Sequence, residues 1–302
     1  MKEILVIGSS NTDMVIKTKK MPAPGETVLG GTFLLNPGGK GANQAVAATR
    51  LGGKVTFVTK RGNDLFGNQT VGLLMREGID TENIIKDPEL PSGVALITVD
   101  AKGENSIVVA PGANGNLQPG DLPPDLIDCS RYEIMLLQLE IPMATVEYAA
   151  MKGSECGMKV IVNPAPAPVE PLSDKLLENI WLLTPNETEA EAISGISIID
   201  QESAEAAADV IIKKGAKNVI ITFGAKGAFV RSKDFTGMVP GFKVKAIDTT
   251  AAGDTFNGAL AVALAEGVEL SKAVRFANKA ASIAVTRMGA QASVPFRNEI
   301  KM

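Results

Sequence analysis

From about residue 131 onward, short apolar runs alternate with helical patterns, and this regularity restricts the fold more than any other feature of the chain. Strands are expected at 133–139, 159–163, 180–183, 218–223, 227–231 and 237–244, and helices at 142–152, 201–214, 254–266 and 271–287. Such alternation folds as a mostly parallel sheet covered by helices on both faces. The first part of the chain fits the same plan, with a buried strand at 2–8, a helix opened by Gly38-Gly39 and running to about Leu51, a strand at 54–59 and a helix at 65–77 stopped by Gly78. Two segments do not fit. Residues 14–35 carry Met21-Pro22-Ala23-Pro24-Gly25 and alternate only weakly, whereas 93–99 and 105–110 read as a hairpin around Ala101-Lys102-Gly103-Glu104. Together they predict a small, mostly antiparallel sheet outside the main one. A chain of 302 residues suits one large α/β domain with such an appendage.

Histidine is absent from the whole chain. Serine–histidine and cysteine–histidine catalysis, histidine general bases and histidine-ligated zinc are thereby excluded. Proton transfer falls to Asp, Glu, Lys, Cys or Tyr. The net charge of −4 gives no electrostatic footprint for nucleic acid. No apolar run is long enough to span a bilayer, and Met1–Gly8 is too short and charged for a signal sequence. The two cysteines, Cys129 and Cys156, are expected to be free thiols in a reducing cytosol.

Five clusters and the single residue Glu140 are candidates for chemistry, and most fall where an expected strand ends, the edge at which α/β sheets bind ligands. In Asp248-Thr249-Thr250-Ala251-Ala252-Gly253-Asp254, a turn of small residues enters a helix. The first N–H groups of a helix lack partners and attract anions, and a carboxylate at the same point can take a proton from an attacking hydroxyl. An ordinary capped helix start would look the same. Asn36-Pro37-Gly38-Gly39-Lys40-Gly41-Ala42-Asn43-Gln44 offers backbone access together with Lys40 and Asn43 as donors, or is a glycine-rich helix start with a solvated lysine. It is not a Walker A loop, and no Gly-x-Gly-x-x-Gly follows the first strand. Asn11-Thr12-Asp13 suits sugar hydroxyls or a simple Asx-turn. Glu140 either faces solvent or binds a hydroxyl. Asn186-Glu187-Thr188-Glu189 either caps a helix or organises water around Mg²⁺, and Phe223-Gly224-Ala225-Lys226-Gly227 either turns a hairpin or backs a nucleotide.

Taken in order, these motifs resemble the ribokinase-like family of carbohydrate kinases over nearly the whole chain. The resemblance is carried by Gly38-Gly39-Lys40-Gly41-Ala42-Asn43-Gln44-Ala45 and Asp248-Thr249-Thr250-Ala251-Ala252-Gly253-Asp254-Thr255-Phe256. It is supported by Gln138-Leu139-Glu140, Asn163-Pro164-Ala165-Pro166-Ala167, Thr184-Pro185-Asn186-Glu187 and Gly289-Ala290-Gln291-Ala292-Ser293-Val294-Pro295. The wider family usually has Gly where Ala251 stands. The resemblance implies a three-layer sandwich with a mostly parallel central sheet, formed by 1–13, 36–92 and 111–302, and a β lid over the sugar formed by 14–35 and 93–110. It implies ATP-dependent phosphorylation of a sugar, D-ribose at O5, with Asp254 as base and an anion hole made by Ala252, Gly253 and the Asp254 backbone. Asn11, Asp13, Gly39, Lys40, Asn43 and Glu140 would hold the sugar. Asn186, Thr222, Gly224, Gly227, Gly253 and Asn278 would line the ATP site, and Glu189 would order Mg²⁺ through water. Asp248, Thr250, Ala284, Arg287, Gly289 and Ser293 would hold K⁺. A cytoplasmic homodimer formed through the lid is implied, with neither nucleic acid nor membrane as partner.

The rival readings are a same-fold kinase for fructose, 2-keto-3-deoxygluconate, deoxyribose or a nucleoside, a non-catalytic nucleotide- or sugar-binding module, and a dehydrogenase. Few aromatic residues lie near the sugar motifs to stack on a purine, an intact Gly253-Asp254 opposes a binding module, and the missing dinucleotide fingerprint opposes a dehydrogenase.

Overall fold

The apolar runs pair side by side into one large sheet. In the computed structural model, which describes residues 3–122, 128 and 130–301, the strands are β1 (Glu3–Ile7), β2 (Asn11–Lys17), β3 (Thr32–Gly38), β4 (Val55–Arg61), β5 (Ile84–Lys86), β6 (Gly93–Val99), β7 (Asn105–Ala110), β8 (Tyr132–Gln138), β9 (Lys159–Asn163), β10 (Leu182–Leu183), β11 (Val219–Thr222), β12 (Gly227–Arg231) and β13 (Thr236–Pro240). The helices are α1 (Lys40–Arg50), α2 (Leu65–Arg76), α3 (Met143–Glu155), α4 (Asp174–Glu178), α5 (Glu187–Ser194), α6 (Gln201–Lys213), α7 (Ala252–Ala265) and α8 (Leu270–Ala284). The large sheet runs β13-β12-β11-β10-β9-β8-β1-β4-β5. It is parallel from β11 to β5, and β12 and β13 add an antiparallel edge.

Successive strand residues point to opposite faces, and each face has its own core. Leu5, Ile7, Met135, Leu137 and Val162 pack under α3 to α6, against Val146, Leu177, Ile193 and Ile211. Ile4, Val6, Ile134, Leu136 and Ile161 pack under α1, α2, α7 and α8, against Val46, Leu74, Leu260 and Val274. These are the three layers expected. The second sheet, β3-β2-β6-β7, stands apart from the first, with β2 parallel to β6 and antiparallel to β3.

Several expectations are corrected. Asn11-Thr12-Asp13 is not a turn after β1 but the start of β2, paired with β3 on one side and β6 on the other. The strand expected at 180–183 is reduced to Leu182–Leu183, and the one expected at 237–244 ends at Pro240, after which the Gly241 N–H bonds Lys226 O instead of a neighbouring strand. Strand β5 and helix α4 are too short to show a period in the sequence. Cys156 is not a free thiol but disulfide-bonded; Cys129 lies outside the described residues. Among the described residues no helix is long and apolar enough to cross a membrane.

The chain switches direction across the sheet at β1, which lies between β8 and β4. Helices α1 and α7 cross over this region at Gly258. A Cβ there would stand 2.6 Å from the Ala47 Cβ, 2.7 Å from Gln44 O and 2.8 Å from Ala48 N. The close crossing brings the first turns of both helices to one point. In an open helix, Gly→Ala would stabilise by about 1 kcal/mol, but forcing a methyl into a filled contact costs about 1–3 kcal/mol, so the clash decides the sign. Gly258→Ala is therefore expected to lower the denaturation midpoint and the activity together. A midpoint raised above wild type would refute the close crossing.

Candidate active site

Helix α7 begins without a side-chain cap. Ala251 precedes it at φ 56°, ψ 17°, the only non-glycine residue with positive φ among the described residues. An L-residue in that region costs roughly 1–2 kcal/mol. The turn makes Ala251 O the first acceptor of the helix, taken by Thr255 N at 2.8 Å, while Ala252 N reaches back to Thr249 O at 3.2 Å. The N–H groups of Gly253 and Asp254 have no hydrogen-bond partner among the described residues, and a Cβ on Gly253 would meet open space. An anion can approach those two donors from the cavity side.

Asp254 is 7% exposed. Asn43 Nδ2 donates to its Oδ2 at 2.9 Å, and Gln44 Nε2 to its Oδ1 at 3.0 Å. Burial pushes the carboxyl up from the usual carboxylate range, against the pull of Lys40, Gln44 and Asn43, while Glu140 adds to the rise. The amides are themselves held: Gln291 Nε2 donates to Asn43 Oδ1 at 3.2 Å, Gln138 Nε2 to Gln44 Oε1 at 2.7 Å, and Gln44 Nε2 also reaches Asn163 Oδ1 at 3.0 Å. Behind the first turn of α7, Asn257 donates to Gly253 O at 2.9 Å and accepts from Thr184 Oγ1 at 2.6 Å.

The glycines before α1 serve the chain's own backbone. Gly39 sits at φ 87°, and a Cβ on it would lie 2.7 Å from Asn11 N; one on Gly41 would lie 2.6 Å from Ser9 N. A Cβ on Gly38 would strike the Asp13 carboxylate at 2.2 Å. The glycines thus press α1 against the β1–β2 link, which sets Lys40 and Asn43 beside Asp254. Glu140 caps α1 from outside, accepting from Lys40 N at 3.0 Å and from Ser9 Oγ at 2.5 Å. Asn114 Nδ2 donates to Asn11 Oδ1 at 2.8 Å, which leaves the Asn11 amide nitrogen free to donate elsewhere. Burial would lower Lys40, but the carboxylates of Asp254, Glu140, Glu189 and Asp13 hold it above the ordinary ammonium value. Asp13 is pushed up to about 6 by burial and by the charges of Glu140 and Asp254, with Lys40 opposing.

Three cavities adjoin here. One of about 610 Å³ runs beneath the second sheet and includes Asp13, Asn36, Asp248, Thr250 and Gly289. One of about 540 Å³ lies between the β11–β12 turn and α8 and includes Thr222, Gly224, Gly227, Gly253 and Asn278. A smaller one of about 230 Å³ shares Thr249 with both and includes Lys40, Asn186, Glu189, Gly253 and Asp254. Asn278 Nδ2 is engaged by Val239 O at 3.0 Å, so its amide oxygen remains as an acceptor. Asn186 and Glu189 form a reciprocal cap on α5, and burial pushes Glu189 up although the Asn186 N–H and Lys40 pull it down.

Near Thr250, Asp248 accepts from Thr250 N at 2.9 Å and Gly289 N at 2.8 Å, which hold it below the carboxylate range against burial. Ser293 is fully buried and its hydroxyl donates to Ala290 O at 2.8 Å. The Arg287 side chain turns away to pair with Glu299, and Ala284 is buried in α8 and has no polar side-chain atom, so these two have only their main chain to offer the loop.

A family model described as pfkB family carbohydrate kinase matches residues 1–297. The chain belongs to this family of carbohydrate kinases. Among its curated relatives, a ribokinase of Haemophilus influenzae is 46% identical over 298 residues, covering 99% of this chain and 97% of that protein. A deoxyribokinase of Salmonella typhi is 39% identical over 293 residues, covering 97% and 95%. Among solved structures, an Arabidopsis thaliana ribokinase complexed with ribose and ATP superposes with a TM-score of 0.90 at 31% identity, covering 98% of this chain and 96% of that one. This carbohydrate kinase therefore has the ribokinase-like fold the motifs implied.

The sequence-expected residues Asp13, Lys40, Asn43, Glu140, Asn186, Glu189, Gly253 and Asp254 converge on one place in the carbohydrate kinase. Gln44, Gln138, Asn163, Asn114, Asn257 and Ser9 also hold the site together and were not singled out. Gln44 and Gln138 lie inside motifs whose sequence signal rests on the glycines, Lys40, Asn43 and Glu140. If the ionised Asp13 receives sugar hydroxyls, sign and window follow from its raised value. Above pH about 6 it is an anion, and below that it is neutralised. KM for the sugar is then expected to rise as pH falls below 6, approaching about tenfold per unit. A sugar KM that stays flat from above pH 6 to well below it would remove the Asp13 anion from binding.

Proposed function

We propose that this carbohydrate kinase transfers the γ-phosphoryl group of ATP to O5 of D-ribose, giving ribose 5-phosphate. The observation that carries the reading is a buried carboxylate, Asp254, on a helix start whose Gly253 and Asp254 N–H groups have no hydrogen-bond partner among the described residues and whose Gly253 lines two adjoining cavities. The ribokinase names of close relatives, and the ribokinase solved with ribose and ATP, support the acceptor and the donor. The second reading is 2-deoxyribose, favoured by the deoxyribokinase relative.

In this reading ribose lies under the second sheet, held by Asn11, Asp13, the Gly39–Lys40 backbone, Asn43 and Glu140. The nucleotide lies along Thr222, Gly224, Gly227 and Asn278, with its phosphates toward Asn186, Lys40 and Gly253. Asp254 accepts the proton of the 5-hydroxyl as that oxygen attacks phosphorus in line. The Gly253 and Asp254 N–H groups receive the charge of the transferring group, usually the largest part of such catalysis, while Ala252, its own N–H taken by Thr249 O, completes the turn that presents them. Lys40 draws charge from the same group. The buried Glu189 carboxylate suits Mg²⁺ held through water, and bound Mg²⁺ supplies charge neutralisation on the phosphates. One carboxylate (Asp248), the Ser293 hydroxyl and main-chain carbonyls of Thr250, Ala284, Arg287 and Gly289 are hard oxygen donors of low total charge, which suits K⁺.

The lid consists of 14–35 and 93–110 and closes over the sugar to exclude water. Asp13, Val15, Lys17, Leu34 and Ile97 line the cavity beneath it. The opposite face exposes Ile16, Phe33, Leu35, Leu96 and Val108, and a homodimer formed through this face would cover them. The enzyme works in the cytoplasm, with no nucleic acid or membrane partner.

The test is ADP release from ATP and Mg²⁺ with ribose, 2-deoxyribose, fructose, 2-keto-3-deoxygluconate and adenosine, each with and without K⁺. Ribose is expected to give the highest kcat/KM, raised by K⁺. Preference for another acceptor would overturn the ribose assignment. Asp254→Asn is expected to lower kcat by at least about 10²–10⁴-fold with ribose affinity by calorimetry nearly unchanged. Near-normal turnover would remove Asp254 as the base.

A further inference from the structure

Gln138 ends β8 and is fully buried. Its Nε2 makes one hydrogen bond, to Gln44 Oε1 at 2.7 Å. Its Oε1 has no hydrogen-bond partner among the described residues. Buried acceptors are almost always satisfied, so an orphan invites a functional explanation. The fold even makes room for it: a Cβ on Gly8 would lie 2.1 Å from that oxygen, so the position tolerates only glycine. A leucine at 138 would fill similar space without that orphan, but would take away the donor to Gln44 Oε1.

Gln44 supplies the explanation. Its single nitrogen donates to both Asp254 Oδ1 and Asn163 Oδ1, each at 3.0 Å. Asn163 cannot turn to help, because its own Nδ2 is held by Thr184 O at 3.0 Å. The nitrogen of Gln44 must therefore face two oxygens, and the Gln138 amide is the donor that holds its oxygen the other way. We infer that Gln138 is a positioning residue for phosphoryl transfer: through Gln44 it fixes the orientation of the Asp254 carboxylate, leaving the carboxylate's remaining lone pairs for the sugar hydroxyl. This rests on the reading of Asp254 as the base. The orphaned oxygen is the consequence of aiming a donor, where an apolar residue would only fill space.

The chain of amides also stabilises the anionic form of Asp254, since a donor to a carboxylate favours its charge. The charged groups facing Asp254 are Lys40 from α1, Glu140 beyond β8, Asp13 from β2 and Glu189 from α5. A substitution at 138 leaves all of them in place, so a change in the pH profile reports on the amides.

The experiment uses the full-length enzyme with Gln138→Leu, Gln138→Glu and Asp254→Asn, measuring melting temperature, kcat, both KM values and the pH dependence of kcat. Gln138→Leu exchanges one buried unpartnered acceptor, Gln138 Oε1, for another, Gln44 Oε1, so it is expected to melt close to wild type. Its kcat should fall about tenfold or more with the ribose and ATP KM values within about threefold. The acid limb of its kcat profile should move up by about half a pH unit or more. Gln138→Glu, when ionised, cannot donate to Gln44, favours the reversed amide and should lose more activity than Gln138→Leu. A folded Gln138→Leu enzyme with wild-type kcat and acid limb, beside an inactive Asp254→Asn, would overturn the relay alone. So would a fall in melting temperature with the limb unmoved, which marks packing. Near-normal turnover by Asp254→Asn would overturn the base assignment and the relay with it.

Discussion

The site depends on holding one carboxylate, Asp254, at the crossing of α1 and α7. Removing a carboxylate from water costs several kcal/mol unless hydrogen bonds and opposite charge replace the lost hydration. Here the replacement comes from α1: Asn43 and Gln44 take one oxygen each, and Lys40 stands nearby. That supply exists only because Gly258 lets the two helices touch and because Gly39 and Gly41 let α1 start against the β1–β2 link. The sheet contributes the rest. With β1 at the point where the strand order reverses, the ends of β1, β8, β9 and β11 all open toward the same edge, and Ser9, Glu140, Asn163 and Thr222 gather there.

The electrostatics of this edge are unbalanced. Asp13, Glu140, Glu189 and Asp254 surround one ammonium, Lys40, and burial together with this imbalance raises Asp13 to about 6. A carboxyl raised in the folded state costs stability progressively as pH rises past 3.8, where the unfolded group ionises, and the cost is fully present above about 6. The fold therefore carries a cost at neutral pH that a more neutral set would avoid. Such a set suits a ligand rich in hydroxyl donors together with positive charge brought by the nucleotide's metal. The family's chemistry of sugar and nucleotide substrates meets that requirement.

How much of this could be read from the chain depended on range. The α/β plan was legible because each layer has its own short period, and the second sheet because the hairpin at 93–110 carries a local turn. Asp254 and Gly253 were legible because a helix start is a local event. The amides were not. Gln44 meets Asp254 across 210 residues and Gln138 across 94, and no periodicity reports such a meeting. The glycines of the α1 approach stand out in the sequence, and in the structure a Cβ on Gly39 or Gly41 would meet backbone, and one on Gly38 the Asp13 carboxylate. Asn11 and Asp13 looked like a turn because three polar residues after a strand usually are one. The second sheet overrode that preference by pairing them on both sides.

Two departures from ordinary structure coincide at the start of α7. Ala251 takes the left-handed region without being glycine, and beyond Ala252 the N–H groups of Gly253 and Asp254 are without partners among the described residues. Neither is needed to begin a helix: a serine or aspartate cap would satisfy the donors and leave φ negative, as Asp64, Ser173 and Asp200 do for α2, α4 and α6. An ordinary cap would also place a side-chain oxygen where an incoming anion must sit. The left-handed residue turns the chain without supplying that oxygen, so the donors stay open beside Asp254. The strain at Ala251 and the unmet N–H groups are thus one device, and both face the cavity where phosphate and hydroxyl would meet.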